Sequence, residues 1–325
     1  YNTVDSLIVG NFLGSSALAA VSSSGSLIFM LIGFLSGISA GAGVIVARFF
    51  GAGDEKNLQR AVHTTVAFGL VAGVLMTGVG VALSPQILRW MDTPESVMRE
   101  SVTYLQIYFA GSLGFVMYNV LVGILQAVGD SRHPLYYLIV SSVINLVLDL
   151  LFITGFHTGV GGAAVATVIS QIVSALLCFW QLLRTKESYG LKIRKIRFDK
   201  GILVQIIKIG LPSGVQNSII AFANVIVQSN INAFGEMAMA GYGAYTKVEG
   251  FGFLPINSFT MALTTFVGQN LGAKQEERTK KGARFGILAA VILAELIGVV
   301  VFLLAPRKRA PAAAAAPSPV HNVQV

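Results

Sequence analysis

Charge is what this chain is short of. Only 12% of its 325 residues are Asp, Glu, Lys or Arg, where a soluble domain carries about 25%. With 54% hydrophobic residues and a mean hydropathy of +0.72, that shortage excludes a water-soluble globular protein. The chain reads as an integral membrane protein, whose unit of length is a span of ~20 residues. Cysteine is nearly absent. Cys178 stands alone, which excludes an intramolecular disulfide framework and leaves the redox compartment unread. No cleavable signal peptide is expected: Tyr1 to Leu13 is already apolar and begins without a methionine, so the chain is expected to start inside a helix. A net charge of +8 would suit nucleic acid in a soluble protein. In a chain this apolar it reads as basic cytoplasmic loops on the positive-inside pattern, with no nucleic-acid partner.

What is there is a succession of apolar windows. The tail of one helix (1–13) is followed by expected spans at 24–49, 61–83, 97–128, 135–155, 163–184, 203–233, 245–270 and 283–305. The connections alternate in charge. Residues 48–60 carry three Lys or Arg, 129–134 one, 184–200 seven and 269–284 five, whereas 155–162 and 233–244 carry none. An internal repeat shows at a constant offset of 221, pairing Asn11 with Asn232, Gly14 with Gly235, Val46 with Val267, Gly51 with Gly272 and Glu55 with Glu276. Six spans separate the copies, so both face the same way, the parallel-repeat plan of many secondary transporters. After Arg307-Lys308-Arg309 the chain becomes Ala/Pro-rich and of low complexity (306–325).

One stretch breaks the apolar rule. Within the run 139–153, Asn145 and Asp149 stand four apart, on one helical face that Ser141 extends. A carboxylate near the centre of a membrane helix costs about 2.5–3.5 kcal/mol on insertion scales, so it faces a cavity and has a partner. A purely structural pairing with a neighbouring helix is the alternative. Further polar stripes recur at helical spacing: Thr167, Ser170, Gln171 and Ser174; Ser213, Asn217, Asn224 and Gln228; and Ser112, Asn119 and Gln126. They suit the wall of a water-filled substrate cavity, although such side chains also hold helices together in lipid. Glycines and serines in 33–43 permit close helix packing. Pro255, deep in its span, suits a hinge or a static bend. Glu295 stands alone in an apolar run, and the basic run Lys192 to Lys200 suits contact with anionic lipid headgroups.

Several passages resemble the multidrug and toxic compound extrusion (MATE) family. They are Tyr1-Asn2-Thr3-Val4-Asp5 with Val9-Gly10, Phe12-Leu13-Gly14 and Ala17-Leu18-Ala19-Ala20; Gln126-Ala127-Val128-Gly129-Asp130-Ser131-Arg132-His133-Pro134; Gly159 to Thr167; Ile209-Gly210-Leu211-Pro212-Ser213-Gly214; and Val267-Gly268-Gln269-Asn270-Leu271-Gly272-Ala273. The resemblance runs in order from residue 1 to about 305. It implies an all-α polytopic membrane protein with two six-helix lobes around a central cavity that opens alternately to each side. Here the N-terminal lobe would occupy 1–184, its first helix partial, then a basic cytoplasmic linker (185–200), then the first three helices of the C-terminal lobe (201–305), as in a C-terminally truncated member. One branch of the family, the DinF-like one, places a cation site in the first lobe. The matching positions here are Asp5, Asn145, Asp149 and Thr167, a hard-oxygen set that suits Na⁺ or a shared proton. Another branch uses a glutamate on the seventh helix, where this chain has Ile220.

The implied activity is cation-coupled (Na⁺ or H⁺) export of small cationic or amphipathic compounds, with no enzymatic chemistry and no cofactor beyond the coupling ion. The protein is expected as a monomer in a bacterial or archaeal inner membrane, in contact with the lipid bilayer. A flippase for lipid-linked oligosaccharides would want more Arg and Lys in the spans. An intramembrane aspartyl protease on Asp5 and Asp149 would want a Gly-x-Gly-Asp signature, which Ala127-Val128-Gly129-Asp130 does not supply. A transporter fragment inactive by itself is a further alternative.

Overall fold

The computed structural model describes residues 8–91, 93–232, 234 and 236–304; Asp5 and the tail 306–325 lie outside them. Among the described residues there is no strand. The long helices are α1 (Ser15–Gly51), α2 (Glu55–Trp90), α3 (Glu95–Ala110), α4 (Ser112–Ala127), α5 (Arg132–Leu150), α6 (Val160–Arg184), α7 (Lys200–Asn232), α8 (Glu236–Gly272) and α9 (Glu276–Leu304). Six are long and apolar enough to cross a membrane, and the bent pair α3–α4 makes a seventh if it is one span. This is a multi-pass membrane protein. The expected span 245–270 lies within α8, which is not among the seven; Asn257, Ser258, Thr260 and Thr264 interrupt its apolar sequence.

The expected span 97–128 is broken at Gly111 by 47°. A Cβ on Gly111 would run into the Val168 side chain of α6, so α6 presses on the backbone where the direction changes. A glycine at a kink is a common cause of such a bend. Glycine also governs the contact between the two ends of the chain. α1 lies along α7, and a Cβ on Gly37 or Gly41 would run into the backbone of Gly214 or Gly210. Lipid tails are as apolar as leucine, so such close backbone approach, rather than hydrophobic burial, favours association here.

The 221-residue repeat is built into the backbone. α1 and α8 are each 37 residues long and start and stop at that offset. The turns that follow them match bond for bond. Gly53 N–H donates to the Phe50 carbonyl and Lys274 N–H to that of Leu271, both at 3.1 Å. Asp54 N–H reaches Phe49 and Gln275 N–H reaches Asn270. Each turn needs one left-handed residue: Gly53 has φ +64 and Lys274 has φ +58. The second copy thus places a Cβ where glycine fits without strain, at a cost of roughly 1–2 kcal/mol. Lys274→Gly is expected to stabilise the protein by about 0.5–1 kcal/mol, after the entropic cost of glycine. A rise in the thermal midpoint of the purified protein would register it; a fall would mean that the lysine side chain stabilises this turn by more than the strain costs.

α2 starts on an Asp54 cap that accepts from Asn57 N–H at 3.1 Å. That backbone bond, with a second from the Asn57 side chain, holds the Asp54 carboxyl below its ordinary value. The capping contribution is therefore present above the ordinary carboxylate range and is lost as pH falls through the depressed value.

Candidate functional site

Two polar features lie inside the helical body. The first is on α5. Ser141, Asn145 and Asp149 are 0%, 1% and 0% exposed, while Val143, Leu146, Val147 and Leu150 on the other faces are exposed, as lipid-facing residues are. The chief neighbour of α5 among the described residues is α6, whose Thr167, Ser170 and Ser174 are equally buried. Thr167 Oγ1 donates to the Ala163 carbonyl at 3.0 Å. Ser170 and Ser174 donate one turn back, to Ala166 at 2.7 Å and Ser170 at 3.1 Å. Asn145 Nδ2 is buried without a hydrogen-bond partner among the described residues, a donor that calls for an acceptor oxygen. Directly after Asp149 the helix widens into a π-helical turn, Leu151–Gly155, an irregularity that often accompanies functional sites.

The buried oxygen groups on this helix pair include a carboxylate, an amide oxygen and a hydroxyl oxygen. Such hard-oxygen groups fit a small cation or a proton. Among the described residues no three His, Cys, Asp or Glu side chains cluster as for a transition metal. Asp5, the second expected carboxylate, lies outside the described residues.

The second feature is a cavity of about 420 Å³ between α1, α4, α7 and α8. Ser36, Ser39, Asn119, Gln126, Asn217, Asn257, Thr260 and Thr264 supply its polar wall, and among the described residues its lining contains no Lys, Arg, Asp or Glu. Asn217 Nδ2 donates across to the Gly33 carbonyl of α1 at 3.1 Å. Its floor lies at the basic end of the molecule. There Thr265 Oγ1 donates to the Gln126 carbonyl at 3.1 Å, and Gln269 Nε2 donates to the Ala127 carbonyl at 2.8 Å. Both bonds reach carbonyls in the last turn of α4, where that of Gln126 also accepts from Gly129 N–H at 3.0 Å.

A sequence model of the MatE family matches residues 1–151 and 212–307. The chain belongs to the MatE family. Among relatives of this MatE chain, the probable multidrug resistance protein YoeA of Bacillus subtilis (strain 168) is 33% identical over 307 residues, 92% of this chain and 66% of that protein. An outward-facing structure of a multidrug resistance MATE family transporter of the MOP superfamily is 26% identical, with a TM-score of 0.87, covering 94% of this chain and 68% of the other. An inward-facing structure of such a transporter, at 27% identity, gives 0.71, covering 94% and 69%. The chain thus spans about two thirds of the length of these relatives. Their names describe resistance proteins and transporters, not enzymes.

Within the MatE chain the expected site residues fall in different places. Asn145 and Asp149 are buried on α5, and Thr167, Ser170, Gln171 and Ser174 are buried on α6, which packs against it. Asn119 and Asn217 line the cavity, and Gln126 with them. Ser112 is buried at the bend that opens α4. Ser213 donates to the Ile209 carbonyl within α7. Asn224 is exposed and Gln228 half-buried further along α7, both outside the cavity lining. Pro255 is buried inside α8, two residues before the cavity-lining Asn257. Glu249 accepts from the Tyr245 hydroxyl at 2.9 Å, and Glu295 is exposed on α9. The α8 wall was not anticipated, although its spacing of 257, 260 and 264 is a helical stripe that periodicity could have found.

Proposed function

We propose that this chain exports cationic or amphipathic small molecules in exchange for Na⁺ or H⁺ by alternating access. The reading takes it as a member of the branch with its cation site in the first lobe. The observation that carries it is the fully buried stripe Ser141, Asn145 and Asp149 on α5, a membrane helix packed on α6, where Thr167 is buried too. An ion held there would meet the Asp149 carboxylate, the Asn145 amide oxygen and the Thr167 hydroxyl oxygen, with Asp5 completing the set. Bound Na⁺ would balance the Asp149 carboxylate away from water, and a bound proton would neutralise it. Asp149 then alternates between holding and releasing its cation as the substrate leaves or enters, and reciprocal coupling between the two ligands gives exchange.

The uncharged amide and hydroxyl cavity supports amphipathic cargo and disfavours a phosphate-bearing lipid-linked sugar. Basic connections at one end support a cytoplasmic position for that end in a bacterial or archaeal inner membrane. The floor closed at the basic end, together with the better match to the outward-facing relative, supports a cavity that opens alternately. Pro255 is placed to let α8 bend during that change.

The test is ethidium movement in everted vesicles under an imposed Na⁺ or pH gradient. Efflux that follows neither gradient would sink the reading. Within it, Asn119→Leu with Asn217→Leu should raise the half-saturating ethidium concentration about tenfold, as loss of one or two hydrogen bonds of ~1 kcal/mol predicts. The choice of coupling ion should be unaltered. An unchanged ethidium dependence would remove the cavity from the substrate path.

A further inference from the structure

A cleft of about 650 Å³ lies at the basic end, between the first turns of α2 and the connection that precedes α7. Its rim carries Lys56, Arg60, Arg194, Lys195 and Arg197 against only Glu55 and Asp199. Arg60 is 3.8 Å from Asp199, while Lys56, Arg194, Lys195 and Arg197 form no ion pair among the described residues.

The cleft is built rather than loose. His63 is buried on α2, and Lys192 N–H donates to its Nε2 at 3.0 Å. That assigns the ring proton to Nδ1, which lies 2.6 Å from the Gln59 carbonyl. The Gln59 side-chain amide donates to the carbonyls of Ser188 and Gly190, and Thr64 Oγ1 accepts from Asp199 N–H at 3.0 Å. These bonds staple the connection to α2, so the basic residues are held in a fixed wall. The N-terminus of α2, with its positive dipole end, opens into the same cleft. Flanking the basic residues, Ile193 and Phe198 are 61% and 47% exposed.

We propose that this cleft binds the phosphate headgroup of an anionic phospholipid, with Ile193 and Phe198 resting at the boundary of the acyl chains. Arginine forks match phosphate oxygens in pairs. A soluble phosphate would use the cations but not the exposed apolar pair beside them, which is why the lipid is the occupant of choice. The site lies apart from the substrate cavity and does not depend on the transport reading.

The purified chain titrated with phosphatidylglycerol or phosphatidylcholine, with bound lipid counted by native mass spectrometry, tests this. Phosphatidylglycerol is expected to bind at least roughly tenfold more tightly than phosphatidylcholine. Arg194→Gln should weaken it about fivefold, and Arg194→Gln with Lys195→Gln and Arg197→Gln about a hundredfold, following the contribution of each interfacial cation. Lys274→Gln with Lys280→Gln and Lys281→Gln, which removes the same charge from the other basic turn, should leave binding within about twofold. Equal losses in both triple variants would overturn the site in favour of a diffuse field. Displacement of the lipid by millimolar inorganic phosphate would assign the cleft to a soluble anion instead, and no preference between the two lipids would end the proposal.

Discussion

Asp149→Asn is expected to lower gradient-driven ethidium efflux sharply while the protein still inserts and folds. The substitution keeps the shape of a side chain that is 0% exposed on α5 and removes only the charge that a cation or proton must answer. Coupling free energies between two ligands run to ~3 kcal/mol, so the loss should fall between about 5- and 150-fold. Stability should not suffer in the same way. A neutral amide is cheaper to bury than a carboxylate, and the thermal midpoint should hold or rise. Two companions separate this from a structural role. Thr167→Ala removes the hydroxyl oxygen that the proposed cation set includes and should lower efflux. Ser174→Ala removes a hydroxyl already bonded to the Ser170 carbonyl at 3.1 Å and should change little. Equal efflux by the parent and Asp149→Asn would refute the first-lobe coupling site and direct attention to Glu249 and Glu295.

The polar face of α5 was legible because its physics is local. A carboxylate and an amide four residues apart in an apolar run share a face whatever surrounds them, and the cost of exposing them to lipid directs that face inward. The repeat was legible for a similar reason. Helix ends and turn residues are set by short-range rules, so a constant offset in sequence became a constant offset in helix bounds and in turn hydrogen bonds. Even the mismatch at Gly53 and Lys274 can be read from the paired positions, though only the backbone shows that both are left-handed.

What could not be read depends on which helices meet. The bend at Gly111 needs Val168 of α6 against it, and nothing near Gly111 in the chain announces that neighbour. The π-helical turn after Asp149 has no sequence signature: Leu151 to Gly155 would pass as the last turn of an ordinary span. The connection 185–200 reads as a solvated basic linker, yet it is fastened to α2 through His63, Gln59 and Thr64, more than a hundred residues away in the chain. Polar stripes on α6 and α7 look alike in sequence. Packing alone assigns Asn217 to the cavity and leaves Asn224 exposed.

Gly51→Val and Gly272→Val should each open the floor of the cavity, and their symmetry makes the expectation sharp. Gly51 and Gly272 are equivalent in the repeat, as are Arg48 and Gln269. A Cβ on Gly51 would run into the Gln269 carbonyl, and a Cβ on Gly272 into the Arg48 carbonyl. At position 47 the equivalent residue is Gly268, and the two touch each other, which puts the two-fold axis of the repeat through this contact. A valine at either glycine forces the C-terminal ends of α1 and α8 apart. The bonds from Thr265 and Gln269 to the end of α4 then break with them. Two hydrogen bonds of ~1 kcal/mol each shift the ratio of open to closed floor by about 30-fold. In a Cys178→Ser background, Ser39→Cys in the cavity wall should become reactive to an impermeant maleimide added on the basic side. Efflux should fall, because a floor that does not close cannot hold a gradient-driven cycle. By the repeat, both valines should give the same phenotype, whereas a glycine important only for local helix packing would differ between the two copies. Unchanged labelling with intact efflux would show that the floor closes by other contacts.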